Sequence, residues 1–117
     1  MLKVLVVNDS RIMLKLISGL LNGSYEVIAC KSTDTLDFTD ISCMVLDSSL
    51  DNWRDISQGA AKAGVPFIVI TKGQNQEVTI IEAKQLGACN NIVPPFTKDQ
   101  LLEKVKGCVS YNSNKNI

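Results

Sequence analysis

The stretch Cys43-Met44-Val45-Leu46-Asp47-Ser48-Ser49-Leu50 decides the fold of this chain. Four apolar residues lead directly into a carboxylate, and two hydroxyl residues follow it. A half-exposed strand would alternate apolar and polar residues, whereas a strand inside a parallel sheet is apolar throughout because both of its faces are buried. The pattern predicts a buried strand from Cys43 to Leu46. Asp47 then lies at its carboxyl end, where open α/β folds place their ligand crevice.

Other stretches of the chain repeat this design. Apolar strands are predicted at residues 2–7, 66–70 and 91–93, with a shorter strand at 25–29. The three apolar strands run into Asn8-Asp9, Thr71 and Pro94-Pro95-Phe96. Helical segments between successive strands give a strand–helix alternation repeated five times, which favours a parallel sheet with helices on both faces. The polar residues at the strand ends should therefore meet at one edge of the sheet.

The helices are predicted from apolar spacing and from capping residues. Ser10 is the expected N-cap of the first helix, and Asn22-Gly23 should end it with left-handed residues. Thr97 and Gln100 form a capping box before the last helix. The apolar stripe of the first helix comprises Ile12, Met13, Leu16, Ile17, Leu20 and Leu21. A helix capped by Asp51-Asn52 has the stripe Trp53, Ile56, Ala60 and Ala63. A further helix has the stripe Val78, Ile81, Ala83 and Leu86. Residues 31–42 carry enough apolar side chains for one or two helical turns at most.

Composition sets bounds on the function. The 117 residues, 45% of them hydrophobic and 21% charged, suit one globular domain, which we place at 1–110 with 111–117 as a polar tail or linker. Equal numbers of basic and acidic residues, 12 each, argue against direct nucleic-acid or membrane binding. A strand that starts at residue 2 leaves no room for a signal peptide, and four cysteines without CxxC spacing indicate reduced thiols of a cytoplasmic protein. The absence of histidine excludes a Ser/His/Asp triad and a His-ligated zinc site within this chain.

The residues at the sheet edge suit phosphoryl and magnesium chemistry. Asp9 and Asp47 can supply the oxygen ligands that Mg²⁺ prefers. A carboxylate can also accept a phosphoryl group, whose charge a metal ion would neutralise. Thr71 can donate a hydrogen bond to a phosphoryl oxygen, and backbone N–H groups after Asp47 can add others. Each of these residues alone is more typical of a turn or cap, and their joint placement carries the prediction.

Four blocks of the sequence carry a resemblance to a known family: Val4 to Arg11, Val45-Leu46-Asp47, Ile68 to Thr71, and Gly87-Ala88 running to Pro95-Phe96. Together they resemble the receiver domain of two-component response regulators, as an atypical receiver of the stand-alone chemotaxis-regulator kind. The resemblance implies a doubly wound five-stranded parallel sheet of order 2-1-3-4-5, the flavodoxin-like fold. It also implies a signalling phosphoacceptor domain rather than an enzyme, with Mg²⁺ as cofactor. The implied partners are a sensor histidine kinase or phosphotransfer protein, and a downstream effector or output domain.

The resemblance also implies roles for individual residues. Asp47 would be the phosphoacceptor and Thr71 the switch hydroxyl. Asp9 and Asp47 would bind the metal with the backbone carbonyl of Ser49, and Asn8 would hold a metal-bound water. The bond between Pro94 and Pro95 is expected to be cis, and a dimer would use the face formed by the helix at 78–86 and the fifth strand.

The sequence departs from the family pattern at several positions. Asn8 replaces the first member of an acidic pair, Pro94 replaces the lysine that contacts the phosphoryl group, and Asn91 replaces an aromatic switch residue. Asp51 stands where a proline is usual. Lys72 is the candidate to restore the lost charge, although a solvated loop lysine is the commoner role for such a residue.

Three functions follow from these observations. Asp9, Asp47 and Thr71 together favour a phosphorylated receiver with impaired switching. Asn8, Pro94 and Asn91 favour a degenerate receiver that binds a partner without phosphoryl control. A flavodoxin-like enzyme or nucleotide binder is disfavoured because no Gly-rich phosphate loop follows any strand.

Overall fold

The computed structural model describes residues 1–73 and 76–115 as a five-stranded sheet with helices on both faces. The strands are β1 (Lys3–Val7), β2 (Glu26–Cys30), β3 (Ile41–Asp47), β4 (Phe67–Ile70) and β5 (Asn90–Ile92). The helices are α1 (Arg11–Leu21), α2 (Trp53–Lys62), α3 (Gln76–Gln85) and α4 (Lys98–Lys115). All strand pairs are parallel and their order is β2-β1-β3-β4-β5, which confirms the predicted fold class.

The core consists of two apolar layers, one on each face of the sheet. Val4 and Val6 of β1 lie in the layer that includes residues of α1 and α4, whereas Leu5 and Val7 lie in the layer of α2 and α3. Successive strand side chains point to opposite faces, so a strand with both faces covered must be apolar at every position. Residues 43–47 of β3 are all buried, as the apolar pattern of that stretch predicts.

Two predicted caps are confirmed. The hydroxyl of Ser10 accepts a hydrogen bond from the Met13 N–H at 3.3 Å, which satisfies one free donor at the start of α1. The Thr97 hydroxyl accepts from the Gln100 N–H at 3.1 Å, and the Gln100 side chain accepts from the Thr97 N–H at 2.8 Å. This reciprocal pair is a capping box, and it fixes where α4 begins after β5.

The connection between β2 and β3 is irregular. Residues 31–40 form turns and irregular chain without a helix, so the strand–helix alternation is interrupted here and the one or two helical turns considered for residues 31–42 are not formed. Leu36 and Phe38 instead pack partly buried against the layer of α2 and α3. Two apolar side chains among polar neighbours are too few to give a helix a buried face, but they suffice to cover the sheet locally.

Several predicted apolar stripes point partly to solvent. Val78 and Ile81 of α3 are 63% and 59% exposed, and Ala83 is the buried residue of that helix. Ile12 and Leu16 of α1 are also exposed. Apolar spacing places residues on a helix but not on the face that meets the sheet, and for these four residues the prediction of burial is wrong.

Two helix ends differ from the prediction. Asn22 keeps a right-handed helical backbone, and Gly23 is not among the residues with positive φ. The chain leaves α1 because the N–H groups of Ser24 and Tyr25 both donate to the Leu21 carbonyl, at 3.0 and 2.9 Å, which needs no left-handed residue. Ala63, predicted on the buried face of α2, is exposed just beyond the end of that helix.

The C-terminal region is described as far as residue 115. Helix α4 continues to Lys115, and residues 116–117 lie outside the described part. The tail or linker expected at 111–117 remains a prediction. The loop predicted over 73–75 falls largely on residues 74–75, which also lie outside it. None of the helices in the described ranges combines the length and apolar character needed to cross a bilayer.

Candidate functional site

Three polar residues from neighbouring strands meet at the carboxyl edge of the sheet. Val7 pairs with Leu46 and Asp47 pairs with Ile70, so the parallel register brings the residues after β1 and β4 level with the end of β3. These residues are Asn8, Asp47 and Thr71, with 1%, 2% and 0% of their surface exposed. Because polar groups are costly to bury, such a cluster points to a functional site.

Asp47 is held by contacts to both of its carboxylate oxygens. Its Oδ1 accepts hydrogen bonds from the backbone N–H of Ser49 at 2.9 Å and from the Ser49 hydroxyl at 2.8 Å. Its Oδ2 lies 3.4 Å from the ammonium nitrogen of Lys72. A buried carboxylate needs hydrogen bonds and a partner charge, and these two residues provide them. Oδ2, which has no contact from Ser49, is thus the oxygen that faces a cation.

Lys72 is paired with a carboxylate and is not a solvated loop lysine, the commoner role for such a residue. Its side chain is 42% exposed, but its Nζ contacts the buried Asp47 rather than solvent alone. Position 94, where the resemblance expects a lysine, is occupied by Pro94, and its peptide bond to Pro95 is cis as predicted. The loop after β4 therefore supplies the cation that the loop after β5 lacks.

Asp9 is hydrogen-bonded to the loop after β2. Its Oδ1 accepts from the Ser32 N–H and its Oδ2 accepts from the Ser32 hydroxyl, both at 2.8 Å. These two bonds, the backbone one first, hold the pKa of the exposed Asp9 carboxyl below its ordinary value. The Asn52 amide donates to the Ser32 carbonyl at 3.0 Å, so Asp9 and Asn52 together anchor the irregular loop after β2. No sequence pattern singled out Ser32, because the bond joins residues 23 positions apart.

Three buried polar atoms have no hydrogen-bond partner in the described part of the chain. They are Asn8 Nδ2, Asn52 Oδ1 and Thr71 Oγ1. Asn8 uses its Oδ1 to accept from the Ser10 N–H at 2.8 Å, which leaves the amide N–H₂ group unpaired. Leaving a buried donor unpaired costs about 1–3 kcal/mol, so such atoms mark a place where another polar group can enter. Two of them, on Asn8 and Thr71, flank Asp47 in the sheet.

The residues present do not form a magnesium site in this arrangement. Both Asp9 oxygens are occupied by Ser32, Asp47 faces an ammonium group, and the unpaired atom of Asn8 is a nitrogen rather than a metal-binding oxygen. Within residues 1–73 and 76–115, no three acidic, cysteine or histidine side chains are grouped as metal ligands would be. The metal roles of Asp9, Asp47, Asn8 and the Ser49 carbonyl stay predictions.

The strand order β2-β1-β3-β4-β5 is that of the flavodoxin-like fold, and a buried aspartate lies at the end of its central strand β3. Chemotaxis protein CheY of Listeria monocytogenes is 25% identical over 115 residues, covering 91% of this chain and 97% of that protein, and its counterpart in Listeria innocua matches equally. No protein-family model matches the sequence. The chain is thus similar to these chemotaxis proteins over nearly its whole length.

Solved structures show the same fold. A response regulator receiver domain protein from Clostridium thermocellum superposes with a TM-score of 0.82 at 21% identity, covering 97% of this chain and 98% of that one. The receiver domain of NtrX from Brucella abortus gives a TM-score of 0.79 at 20% identity, covering 92% of this chain and 98% of that domain. Against a longer NtrX chain, solved with ADP, the TM-score is 0.81 at 22% identity and the match covers 97% of this chain. The present chain spans 27% of that NtrX chain.

Proposed function

We propose that this domain receives a phosphoryl group on Asp47 and passes the change to a partner protein. The observation that carries the proposal is a buried carboxylate at the end of the central strand β3, flanked by the unpaired polar atoms of Asn8 and Thr71. A carboxylate can act as nucleophile toward phosphorus, and positioned donors stabilise the transferred group. The receiver-domain relatives support the same assignment.

The proposed transfer forms one bond and breaks one. Oδ2 of Asp47 attacks the phosphorus of a phosphohistidine, and the bond between phosphorus and the imidazole nitrogen breaks. The electron pair stays on the imidazole nitrogen. The ring leaves neutral when its other nitrogen already carries a proton, and otherwise it takes a proton from solvent as the bond breaks. Since these 117 residues contain no histidine, the donor histidine lies outside them, on a sensor kinase or a phosphotransfer protein. The product is an acyl phosphate held near Thr71, so the domain acts as a signalling acceptor.

The output is proposed to use the face of α3 and β5. Val78 and Ile81 are exposed there, and exposed apolar side chains close together are typical of protein contacts. The partner would be an effector protein, an output domain or a second copy of the chain. Asn91, partly buried on β5, lacks the aromatic ring that the resemblance expects there, so a weak response of this face is proposed.

A second candidate is a partner-binding domain that works without phosphorylation. The observation in its favour is the engagement of both acidic residues: Asp9 accepts two bonds from Ser32, and Asp47 is paired with Lys72. In that function Asp47 would hold the loop after β4 in place. Phosphoryl uptake separates the two functions.

The test is labelling with acetyl phosphate in the presence of Mg²⁺, followed by intact-mass measurement. A gain of one phosphoryl group that disappears in Asp47→Asn is expected. Asp51→Asn, which removes an exposed carboxylate four residues on, is the matched control and should label normally. Absence of labelling with acetyl phosphate and with a phosphorylated histidine-containing protein would favour the second function.

A further inference from the structure

Lys72 is the cation that contacts the buried carboxylate. Its Nζ lies 3.4 Å from Asp47 Oδ2, and 42% of its side chain is exposed against 3% for Asp47. Because lysine carries its charge on a flexible four-carbon stem, a partly exposed lysine can follow its partner when that partner changes. Lys72 also follows Thr71 directly in the chain, so both side chains are set by the end of β4.

The charges at this edge differ from those of a site built for a divalent ion. Asn8 is neutral, and the Asp9 carboxylate is turned toward Ser32. Asp47 is the one acidic or basic side chain among the described residues that are buried, and Lys72 already balances its charge. A divalent cation placed beside Asp47 would gain attraction from one carboxylate and meet repulsion from the ammonium group. The site is thus rich in donors and poor in metal ligands.

We propose that Lys72, in place of a divalent metal ion, holds the oxygens of the phosphoryl group transferred to Asp47. The inference rests on the proposed function. The unpaired Asn8 Nδ2 and Thr71 Oγ1 supply further hydrogen bonds, because both lie buried beside the carboxylate and lack partners. Lysine is a compact charge with three donors, which suits a group with three equatorial oxygens.

The step balances without a metal ion. With acetyl phosphate as donor, Asp47 Oδ2 forms the bond to phosphorus, and the bond from phosphorus to the acyl oxygen breaks. Acetate departs with the electron pair. The ammonium of Lys72 moves from Oδ2 to the phosphoryl oxygens and keeps its proton. Oδ1 retains its bonds from Ser49, which hold the carboxylate in position during the attack.

The experiment measures the labelling rate of wild type, Lys72→Gln and Lys72→Arg with acetyl phosphate, each with Mg²⁺ and with excess EDTA. Wild type is expected to label in EDTA within about tenfold of its rate with Mg²⁺. Lys72→Gln should lose about tenfold or more in EDTA and regain much of this with Mg²⁺, because removal of the ammonium opens the site to a metal ion. Lys72→Arg should keep metal-independent labelling. Lys106→Gln on the exposed side of α4 is the matched control.

The outcomes separate the two proposals. If wild type labels with Mg²⁺ but not in EDTA, or if Lys72→Gln labels at the wild-type rate in EDTA, the role of Lys72 is overturned and the proposed function stands. If wild type does not label under any condition, both fail. Thermal unfolding of each variant checks the fold, and a dependence on Mg²⁺ that appears only in Lys72→Gln is a result that loss of stability alone would not give.

Discussion

Thr71→Val is expected to stabilise the domain while impairing the site. The two side chains have nearly the same shape, and Thr71 is fully buried with its hydroxyl unpaired. The backbone N–H of residue 71 donates to the Ile92 carbonyl at 3.0 Å and keeps this bond in the variant. Only the burial of an unpaired hydroxyl is removed, so the free energy of unfolding should rise by about 1–2 kcal/mol.

The change is large enough to measure. For a domain of this size, 1 kcal/mol shifts the melting temperature by about 4 °C. Urea unfolding followed by the fluorescence of Trp53, the single tryptophan and a buried one, gives the free energy directly. A matched control is Thr97→Val, because that hydroxyl accepts from the Gln100 N–H at 3.1 Å. Its loss should lower the free energy of unfolding by about 1 kcal/mol, so the same substitution should act with opposite signs at the two positions.

The same variant should also hold a phosphoryl group on Asp47 less well, since it lacks the hydroxyl donor. Stability gained at the expense of activity is typical of functional sites. A fall of about 1 kcal/mol or more in the stability of Thr71→Val would refute the reasoning, because it would mean that the hydroxyl is satisfied in solution.

Three other predictions concern the edge of the sheet. Asn8→Asp should destabilise the domain in EDTA, through repulsion between buried carboxylates, and regain stability with millimolar Mg²⁺ in thermal unfolding; no response to Mg²⁺ would contradict this. Ser32→Ala should raise the pKa of Asp9 toward its ordinary value of 3.8, measured by carboxyl NMR titration. The Asp9 bonds stabilise the fold above the unfolded pKa and lose this effect as the pH falls through the lower folded value, so the two proteins should differ in stability above about pH 4 and converge in stronger acid. Beryllofluoride should shift NMR signals around Asp47 but barely reach Asn91; large shifts across α3 and β5 would show another route of coupling.

The strand ends were predictable because their pattern depends on burial alone. An apolar run followed by Asp47 has one favourable place in a parallel sheet, and the register then fixes Asn8 and Thr71 beside it. The caps at Ser10 and Thr97 were predictable for a similar reason, since each is a local hydrogen bond within one turn.

The side-chain partners at the site were not predictable from sequence. Asp9 turns toward Ser32 because of a loop that returns to it after β2, and local patterns carry no information on that contact. Lys72 contacts Asp47 through the pairing of β3 with β4, 25 residues apart. The prediction of the buried face of α3 failed for a related reason. Whether Ala83 or Ile81 is buried depends on how closely the helix approaches the sheet.

The packing of Leu36 and Phe38 against the layer of α2 and α3 limits how the sequence can vary at these positions. A methyl group added at Gly59 on α2 would lie 3.3 Å from the Phe38 ring, tighter than an ordinary contact. Positions 38 and 59 are therefore coupled: a larger residue at 59 requires a smaller one at 38. Covariation between these two positions is expected among chains that share this helix-free connection.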